Sequence, residues 1–276
     1  MSITLILILL ALGLLIGCYS GMIGTGGNVL LIPALDILFS YFAIPPNESV
    51  KLIIAHSLFV AIFTGVSVSY KQFKENNFFP REILAIALPG IITSFFTTLL
   101  IKNGHWYEKK YFDIVFLLVL TLIAARLLLS KNKKAENHQA PLHRGYLAIL
   151  GAITGVLTSL SGLGGGVLII PALTDLLGVP VKKASSISIG VVALFALPIS
   201  VNYLFANQGA TVHQILPWQW GYISMAIVLP VTVGIFITAP MGVSWAHKMK
   251  QETLRLILGT IIVLLSAKIL YGLLFR

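Results

Sequence analysis

The chain has 276 residues, of which 57% are hydrophobic and only 10% are charged, and its formal net charge is +10. A soluble domain carries about 25% charged residues, so this composition excludes an ordinary soluble protein and predicts an integral membrane protein. The positive charges stand in short loops and form neither a basic domain nor a long basic tail, which excludes a nucleic-acid-binding footprint.

Ten apolar segments follow one another along the chain and predict an all-α polytopic membrane protein. No Lys or Arg precedes Lys51. The first segment therefore lacks the basic start of a secretory signal peptide and is predicted to be a retained helix. In chain order the segments cover residues 2–20, 28–43, 51–71, 82–101, 111–130, 144–161, 166–178, 184–206, 219–240 and 253–274.

A glycine-rich phrase occurs twice in these segments. Residues 24–35 read GTGGNVLLIPAL and residues 162–173 read GLGGGVLIIPAL, with nine of twelve positions identical. The spacing of 138 residues is half of the 276-residue chain, which predicts two copies of one unit. A polar linker, 131–143, then separates a membrane repeat at 1–130 from a second one at 144–276. Matched breaks in apolar segments indicate a transport site.

The orientation of the two repeats depends on what each glycine phrase does to the chain. If it kinks one span, each repeat has four spans, the repeats are parallel, and the two membrane faces carry ten and nine Lys plus Arg. If it turns the chain back, each repeat has five segments, the repeats are inverted, and the faces carry thirteen and six. Membrane proteins concentrate Lys and Arg on the cytoplasmic side. This favours two inverted repeats of five helical segments, about eight full spans plus short broken or re-entrant segments, with both termini non-cytoplasmic.

The glycine phrases themselves predict an anion site. A helix that restarts after closely spaced glycines points free N–H groups, and a partial positive charge, at whatever lies before it. Two such helix starts would meet near the midplane of an inverted pair. The alternative is that the glycines only permit close helix packing. The candidate substrate-binding residues in the phrases are Gly24, Thr25, Gly26, Gly27, Asn28, Gly162, Gly164, Gly165 and Gly166.

Polar side chains that open the next apolar segments are further candidates. His56 and Ser57 follow the first phrase, and Ser185 and Ser186 follow the second. Polar groups inside a membrane usually face the bundle interior or a cavity, although a serine can also bond back to its own helix. His56 could couple transport to protons, or it could be hydrogen bonded near an interface.

Other polar and aromatic residues are predicted to lie outside the site. Asp36 and Asp175 follow the two phrases and could carry protons, but a solvated or capping role at a segment end is favoured. Trp218, Trp220 and Tyr222 are typical of an aromatic belt at the membrane interface. The sequence contains no catalytic constellation and no spaced Cys and His set for a metal, so no enzyme, cofactor or metal site is predicted.

The residues from Gly21 to Leu35, with their second copy, resemble the signature of the TauE/SafE family of sulfite and organosulfonate exporters. The stretches 55–58 and 184–187 resemble the small-residue and Ser/Thr stretch of that family. The resemblance covers essentially the whole chain. It implies a bacterial or archaeal inner-membrane carrier that exports small sulfur-containing anions, but it does not determine the cargo.

The prediction is therefore a secondary transporter in the inner membrane, of which one half rocks against the other. Its expected partners are a small anionic substrate, the lipid bilayer and a coupling proton or other ion. No nucleic acid is expected, and the sequence leaves open whether the protein forms a homo-oligomer. An anion channel is the first alternative. A membrane enzyme or scaffold that transports nothing is the second.

Overall fold

A computed structural model of the chain describes residues 2–104, 106–129, 143–206 and 216–248, together with isolated positions between 260 and 270. The described chain is almost entirely helical. Its elements are α1 (Ile3–Ile23), α2 (Asn28–Tyr41), α3 (Pro46–Lys74), α4 (Pro80–Asn103), α5 (Lys109–Leu129), α6 (Arg144–Ser161), α7 (Gly166–Pro171) with a π-helical turn (Ala172–Leu176), α8 (Val181–Leu204), β1 (Gln219–Trp220), β2 (Ile223–Ser224) and α9 (Met225–Lys248).

The all-α polytopic class is confirmed. By length and composition, six of the described helices could cross a membrane, namely α1, α3, α4, α6, α8 and α9. The helices that begin within the two glycine phrases, Asn28–Tyr41 and Gly166–Leu176, are shorter apolar helices, as expected for broken segments. The predicted last segment, 253–274, and nearly all of the linker, 131–143, lie outside the described residues.

One predicted segment starts in the wrong place. The apolar run 219–240 begins with a two-stranded antiparallel hairpin, in which Trp220 pairs with Ile223, and α9 begins only at Met225. The hairpin turns at Gly221, whose φ of +51° is in the left-handed region that glycine tolerates. The two strands have only two residues each, so the apolar pattern cannot distinguish them from the first turn of a helix.

The predicted aromatic belt is also divided by this hairpin. Trp218 and Trp220 are exposed, as a belt requires. Tyr222 is buried instead, with its ring edge-on to the ring of Tyr203 at 5.8 Å. Tyr222 therefore belongs to the protein core and not to the belt.

Glycines allow the outer helices to pack closely in pairs. A Cβ added to Gly13 of α1 would collide with Val231 of α9, and one added to Gly21 would collide with Ala239. The contact positions advance together along the two helices, so α1 and α9 run parallel. Small residues permit this close approach in membrane proteins.

The same arrangement recurs with the halves exchanged. A Cβ on Gly151 of α6 would collide with Ile86 of α4, and one on Gly155 would collide with Gly90. Helices α4 and α6 therefore also run parallel. The first helix of each half packs on the fourth helix of the other half.

The central pair, α3 and α8, runs antiparallel. Gly65 in the middle of α3 packs on Ala193 of α8. Beyond the end of α3, the Asn77 carbonyl accepts a hydrogen bond from Ser186 near the start of α8. Because α3 and α8 occupy equivalent places in the two halves, their antiparallel course means that the halves are inverted.

Contacts at the helix ends support a chain that turns back at each glycine phrase. Lys183 forms an ion pair with Glu82, at 3.0 Å between Nζ and Oε1. At the other ends of the helices, Lys102 donates to the Asn202 carbonyl at 3.4 Å. In the four-span alternative the two members of each pair would lie on opposite membrane faces. These contacts therefore agree with five segments per half.

Candidate functional site

Two loops of nearly identical backbone connect the broken helices. We call Gly24–Asn28 the first glycine loop and Gly162–Gly166 the second glycine loop. Each loop ends one helix with a glycine in the left-handed region and begins the next helix with another. Glycine reaches such φ values without steric cost. The φ values are +80°, +87° and +74° at Gly24, Gly26 and Gly27, and +71°, +79° and +75° at Gly162, Gly164 and Gly165.

The two glycine loops touch each other. Asn28 Nδ2 donates to the Gly162 carbonyl at 2.7 Å. A Cβ added to Gly166 would lie only 3.0 Å from the Thr25 Cα. All residues of both loops are buried. We call this contact region the loop junction; it brings together, as predicted, two breaks that are 138 residues apart in sequence.

One side chain of α8 packs against both loops. A Cβ added to Gly26 would lie 3.0 Å from Val192 Cγ1, and one added to Gly164 would lie 2.9 Å from the same atom. The two added positions are therefore at most 5.9 Å apart. The Val192 side chain is fully buried. It closes one side of the loop junction.

The helices that start at the loops differ in length. Within the described chain, neither Gly27 before α2 nor Gly165 before α7 supplies a side-chain cap. The first N–H groups of both helices are therefore directed at the loops. Helix α2 has 14 residues, whereas α7 has only 6 before its π-helical turn. The partial positive charge of a helix start is better developed in α2, because more peptide dipoles are aligned behind it.

Four buried oxygens surround the first glycine loop. They have no hydrogen-bond partner in the part of the chain that the structure describes. We call them the first-loop oxygens: Tyr19 Oη, Ser20 Oγ, Thr25 Oγ1 and Asn28 Oδ1. The Tyr19 and Thr25 hydroxyls lie near each other, but no hydrogen bond joins them in the described chain. Buried polar atoms are usually paired, so this cluster is suited to receive a polar ligand.

The second half has no such cluster at the equivalent described positions. Leu157 and Leu163 stand 138 residues after Tyr19 and Thr25. Thr158 corresponds to Ser20, but its hydroxyl donates to the Thr154 carbonyl of its own helix at 2.7 Å. Tyr19 and Ser20 were not among the predicted site residues. Comparison of the two halves position by position would have found Tyr19, because a hydroxyl there replaces an aliphatic side chain.

Two of the predicted serines hold the loops in place. Ser57 of α3 donates to the Gly162 carbonyl at 3.3 Å, and Ser185 of α8 donates to the Ile23 carbonyl at 3.1 Å. Each serine therefore binds the loop region of the opposite half. The two contacts are similar, but their acceptors differ by one position, because Gly24 and not Ile23 is the counterpart of Gly162.

The other two candidates, Ser186 and His56, make contacts elsewhere. Ser186 donates to the Asn77 carbonyl at the end of the molecule where α3 finishes. His56 lies almost three turns into α3 rather than at its start. Its Nδ1 is 2.7 Å from the Leu52 carbonyl, and its Nε2 accepts from the Ser224 N–H at 2.9 Å. This geometry fits a neutral ring that carries its proton on Nδ1.

The two acidic residues behind the phrases also differ. Asp36 forms an ion pair with Lys109 at 2.8 Å, and Lys109 also pairs with Asp113 at 2.8 Å. The Asp36 side chain is 32% exposed, which agrees with the expected solvated position, and the salt bridge also ties α2 to α5. Asp175 is exposed and accepts a hydrogen bond from Thr174, as a segment end allows.

Formal charge is scarce around the loop junction. Among the residues whose burial the structure describes, Lys109 is the one buried charged residue, and it belongs to the salt bridge with Asp36. The described residues also contain no cluster of three or more His, Cys, Asp or Glu that could hold a metal ion. Any charge that enters the loop junction would therefore meet dipoles and hydroxyls.

Inverted halves with two facing broken helices define a class of polytopic membrane transporters. The model of the Sulfite exporter TauE/SafE family matches residues 9–269, so the chain belongs to this family. Probable membrane transporter protein MJ0441 of Methanocaldococcus jannaschii is 29% identical over 257 residues, which cover 92% of this chain and 91% of the relative.

Further relatives match over a similar length. Probable membrane transporter protein YunE of Bacillus subtilis is 26% identical over 96% of this chain and 97% of its own. A probable membrane transporter protein of Haemophilus influenzae is 25% identical over 91% of this chain and 93% of its own. No solved structure matches the chain. Family and relatives identify the chain as a multi-pass membrane transporter.

Proposed function

We propose that this chain is a secondary transporter that exports small sulfur-containing anions, such as sulfite or organosulfonates, and that the loop junction binds the anion. The observation that carries the proposal is the group of first-loop oxygens beside the uncapped start of α2. Membership of the sulfite exporter TauE/SafE family supports the substrate class.

The chemistry of the first glycine loop suits an anion. The start of α2 supplies backbone N–H groups and a partial positive charge. The hydroxyls of Tyr19, Ser20 and Thr25 can rotate to donate to an anion, because a hydroxyl hydrogen is free to turn. Burial strengthens each of these interactions by excluding water. An anion held by dipoles alone is also released more readily than one that forms a buried salt bridge.

The position of the loop junction suits alternating access. The loops are buried between α3 and α8, the two equivalent central helices. A solute there reaches either side of the membrane only if one half moves against the other, which is the motion of inverted-repeat carriers. We expect an ion gradient or the gradient of the substrate to drive this motion. The proposed location is the inner membrane, with the Lys- and Arg-rich face cytoplasmic and both termini on the other side.

The buried junction favours the carrier over the anion channel. In liposomes, a carrier shows saturable uptake and counter-exchange of labelled sulfite, whereas a channel gives single-channel currents. A membrane enzyme or scaffold would move no sulfur oxyanion and no organic acid. Covalent product formation without flux would support the enzyme.

A matched pair of threonines tests the site. Thr25→Val removes a first-loop oxygen at nearly constant volume, and Thr158→Val removes a hydroxyl that is bonded within α6. A hydrogen bond to a charged ligand contributes about 1.5–3 kcal/mol, so Thr25→Val should weaken sulfite binding at least about tenfold. Thr158→Val should leave binding unchanged.

The readouts are ligand-induced thermal shifts in detergent and flux in liposomes. Thr25→Val should not lower thermal stability, because it removes a buried hydroxyl that lacks a partner in the described chain. A folded Thr25→Val variant that binds sulfite as tightly as the wild type would count against the loop junction. Absence of any bound or transported anion in the wild type would count against the function itself.

A further inference from the structure

The side-chain amide of Asn28 has a fixed orientation. Its Nδ2 donates to the Gly162 carbonyl at 2.7 Å, and a carbonyl can only accept. The amide nitrogen must therefore face Gly162, which settles the assignment of nitrogen and oxygen. Asn28 is fully buried. Its Oδ1 finds no hydrogen-bond donor in the described chain.

Asn28 Oδ1 differs chemically from the other first-loop oxygens. The hydroxyls of Tyr19, Ser20 and Thr25 can donate to an anion or accept from another group. An amide oxygen can only accept, so it gains nothing from a bare oxyanion and is left without a donor in its presence. A buried acceptor without a donor destabilises the bound state. A ligand that carries an O–H or N–H can supply the donor that Asn28 Oδ1 lacks in the described chain.

We propose that Asn28 selects, among small monoanions, those that carry a hydrogen-bond donor beside the negative group. This inference rests on the proposed function, since it takes the loop junction as the anion site. The preferred class comprises hydroxysulfonates and the singly protonated form of sulfite. Plain alkylsulfonates and fully deprotonated oxyanions are disfavoured, because they offer Oδ1 no hydrogen.

The equivalent place in the second half cannot make this selection. Gly166 stands 138 residues after Asn28 and has no side chain. A Cβ there would lie 2.8 Å from Ser188 Oγ, so the space is already taken by α8. Selectivity therefore depends on one residue of one half, and a single substitution can test it.

The experiment compares two probes, isethionate and ethanesulfonate. They have the same charge and nearly the same size, and isethionate has one additional hydroxyl. Binding to the detergent-solubilised protein is measured for the wild type, Asn28→Leu, Asn28→Gly and Ser188→Ala. Asn28→Gly reproduces the residue of the second loop. Ser188 donates to the Gly166 carbonyl in the second glycine loop, so Ser188→Ala is the control for a lost loop hydrogen bond.

The expected result is a change in preference. The wild type should bind isethionate about tenfold more tightly than ethanesulfonate, because only isethionate satisfies Oδ1. Asn28→Leu and Asn28→Gly should reduce this ratio to about one, and Ser188→Ala should keep it. The ratio of the two affinities is measured on one variant at a time, so it does not depend on the stability of that variant. If Asn28→Leu does not fold, Asn28→Gly tests the same prediction.

The outcomes separate the two proposals. Equal affinity of the wild type for both sulfonates overturns the selection and leaves the anion site standing. A tenfold preference for isethionate that persists in a folded Asn28 variant also overturns it, because another residue then binds the hydroxyl of isethionate. Both sulfonates could also bind equally well in a Na⁺ buffer and fail to bind when choline replaces Na⁺. This result would mean that Oδ1 binds a cation, and it would overturn the selection as well. Failure of the wild type to bind either probe contradicts the proposed function.

Discussion

The two glycine loops have the same backbone and different chemistry. Each has three glycines in the left-handed region, between +71° and +87°, and each packs against the same methyl group of Val192. The first loop is surrounded by oxygens that lack partners in the described chain, and the aliphatic Leu157 and Leu163 occupy two of the equivalent positions in the second. The duplicated glycines therefore account for the shape of the loop junction. The side chains that are not duplicated account for the chemistry that we propose.

The largest expected effect tests whether the loops are equally crowded. A Cβ at Gly24 would collide with Ser185, including its backbone oxygen, whereas a Cβ at Gly162 would meet only the Ser57 hydroxyl, at 2.9 Å, and atoms beyond 3.3 Å. Both alanine variants suffer about 1–2 kcal/mol from positive φ. Gly24→Ala should lose about 1–3 kcal/mol more through overpacking. Equal thermal stability of Gly24→Ala and Gly162→Ala would contradict this difference.

The next effect tests how α2 is anchored. Lys109→Met should destabilise the protein by about 2–3 kcal/mol, because it leaves Asp36 and Asp113 without their shared cation. Lys71→Met is the control, since its pair with Glu75 is more exposed, and it should lose at most about 1 kcal/mol. Thermal unfolding in detergent compares the two variants. Equal losses would mean that the Asp36 salt bridge is no more than a surface pair.

A third prediction separates His56 from the anion site. His56→Leu leaves the buried Ser224 N–H without its acceptor and should lower stability by about 1–3 kcal/mol. His56→Gln, which keeps an acceptor, should lose less. Sulfite flux per folded molecule should be unchanged in both variants. Flux that disappears in stable His56→Gln, together with a lost pH dependence, would instead support proton coupling through His56.

The smallest effect on stability comes from single hydroxyls. Tyr19→Phe removes a first-loop oxygen, and Tyr203→Phe removes another buried hydroxyl with no partner in the described chain. Both variants should change stability by less than about 0.5 kcal/mol, because neither breaks a hydrogen bond. Only Tyr19→Phe should weaken sulfite binding, by a few-fold. If Tyr203→Phe also weakened sulfite binding, the loss of affinity in Tyr19→Phe could not be attributed to the first glycine loop.

Most of the fold could be predicted from the sequence. Long apolar runs separated by charged loops identify the helices, and the distribution of Lys and Arg favours the inverted arrangement that the α3–α8 pair displays. The hairpin before Met225 was missed because its strands have two residues each. Strands this short depend on tertiary contacts, here the hydrogen bond from Ser224 to His56.

The candidate site was predictable in its backbone but not in its side chains. Positive φ at Gly26 and Gly164 follows from the glycine pattern. Ser186 and His56 were included because they open apolar segments, yet both bond to backbone outside the loop junction. Whether the Thr25 hydroxyl has a partner depends on what packs around it in three dimensions, which local sequence does not reveal.

The antiparallel course of α3 and α8 has a consequence for the energetics of a transport cycle. When each half adopts the shape of its counterpart, an outward-facing molecule becomes an inward-facing one. Identical halves would make these two states equal in free energy, so that neither direction is preferred at rest. Any resting bias must then arise from positions where the halves differ, such as Tyr19 and Leu157.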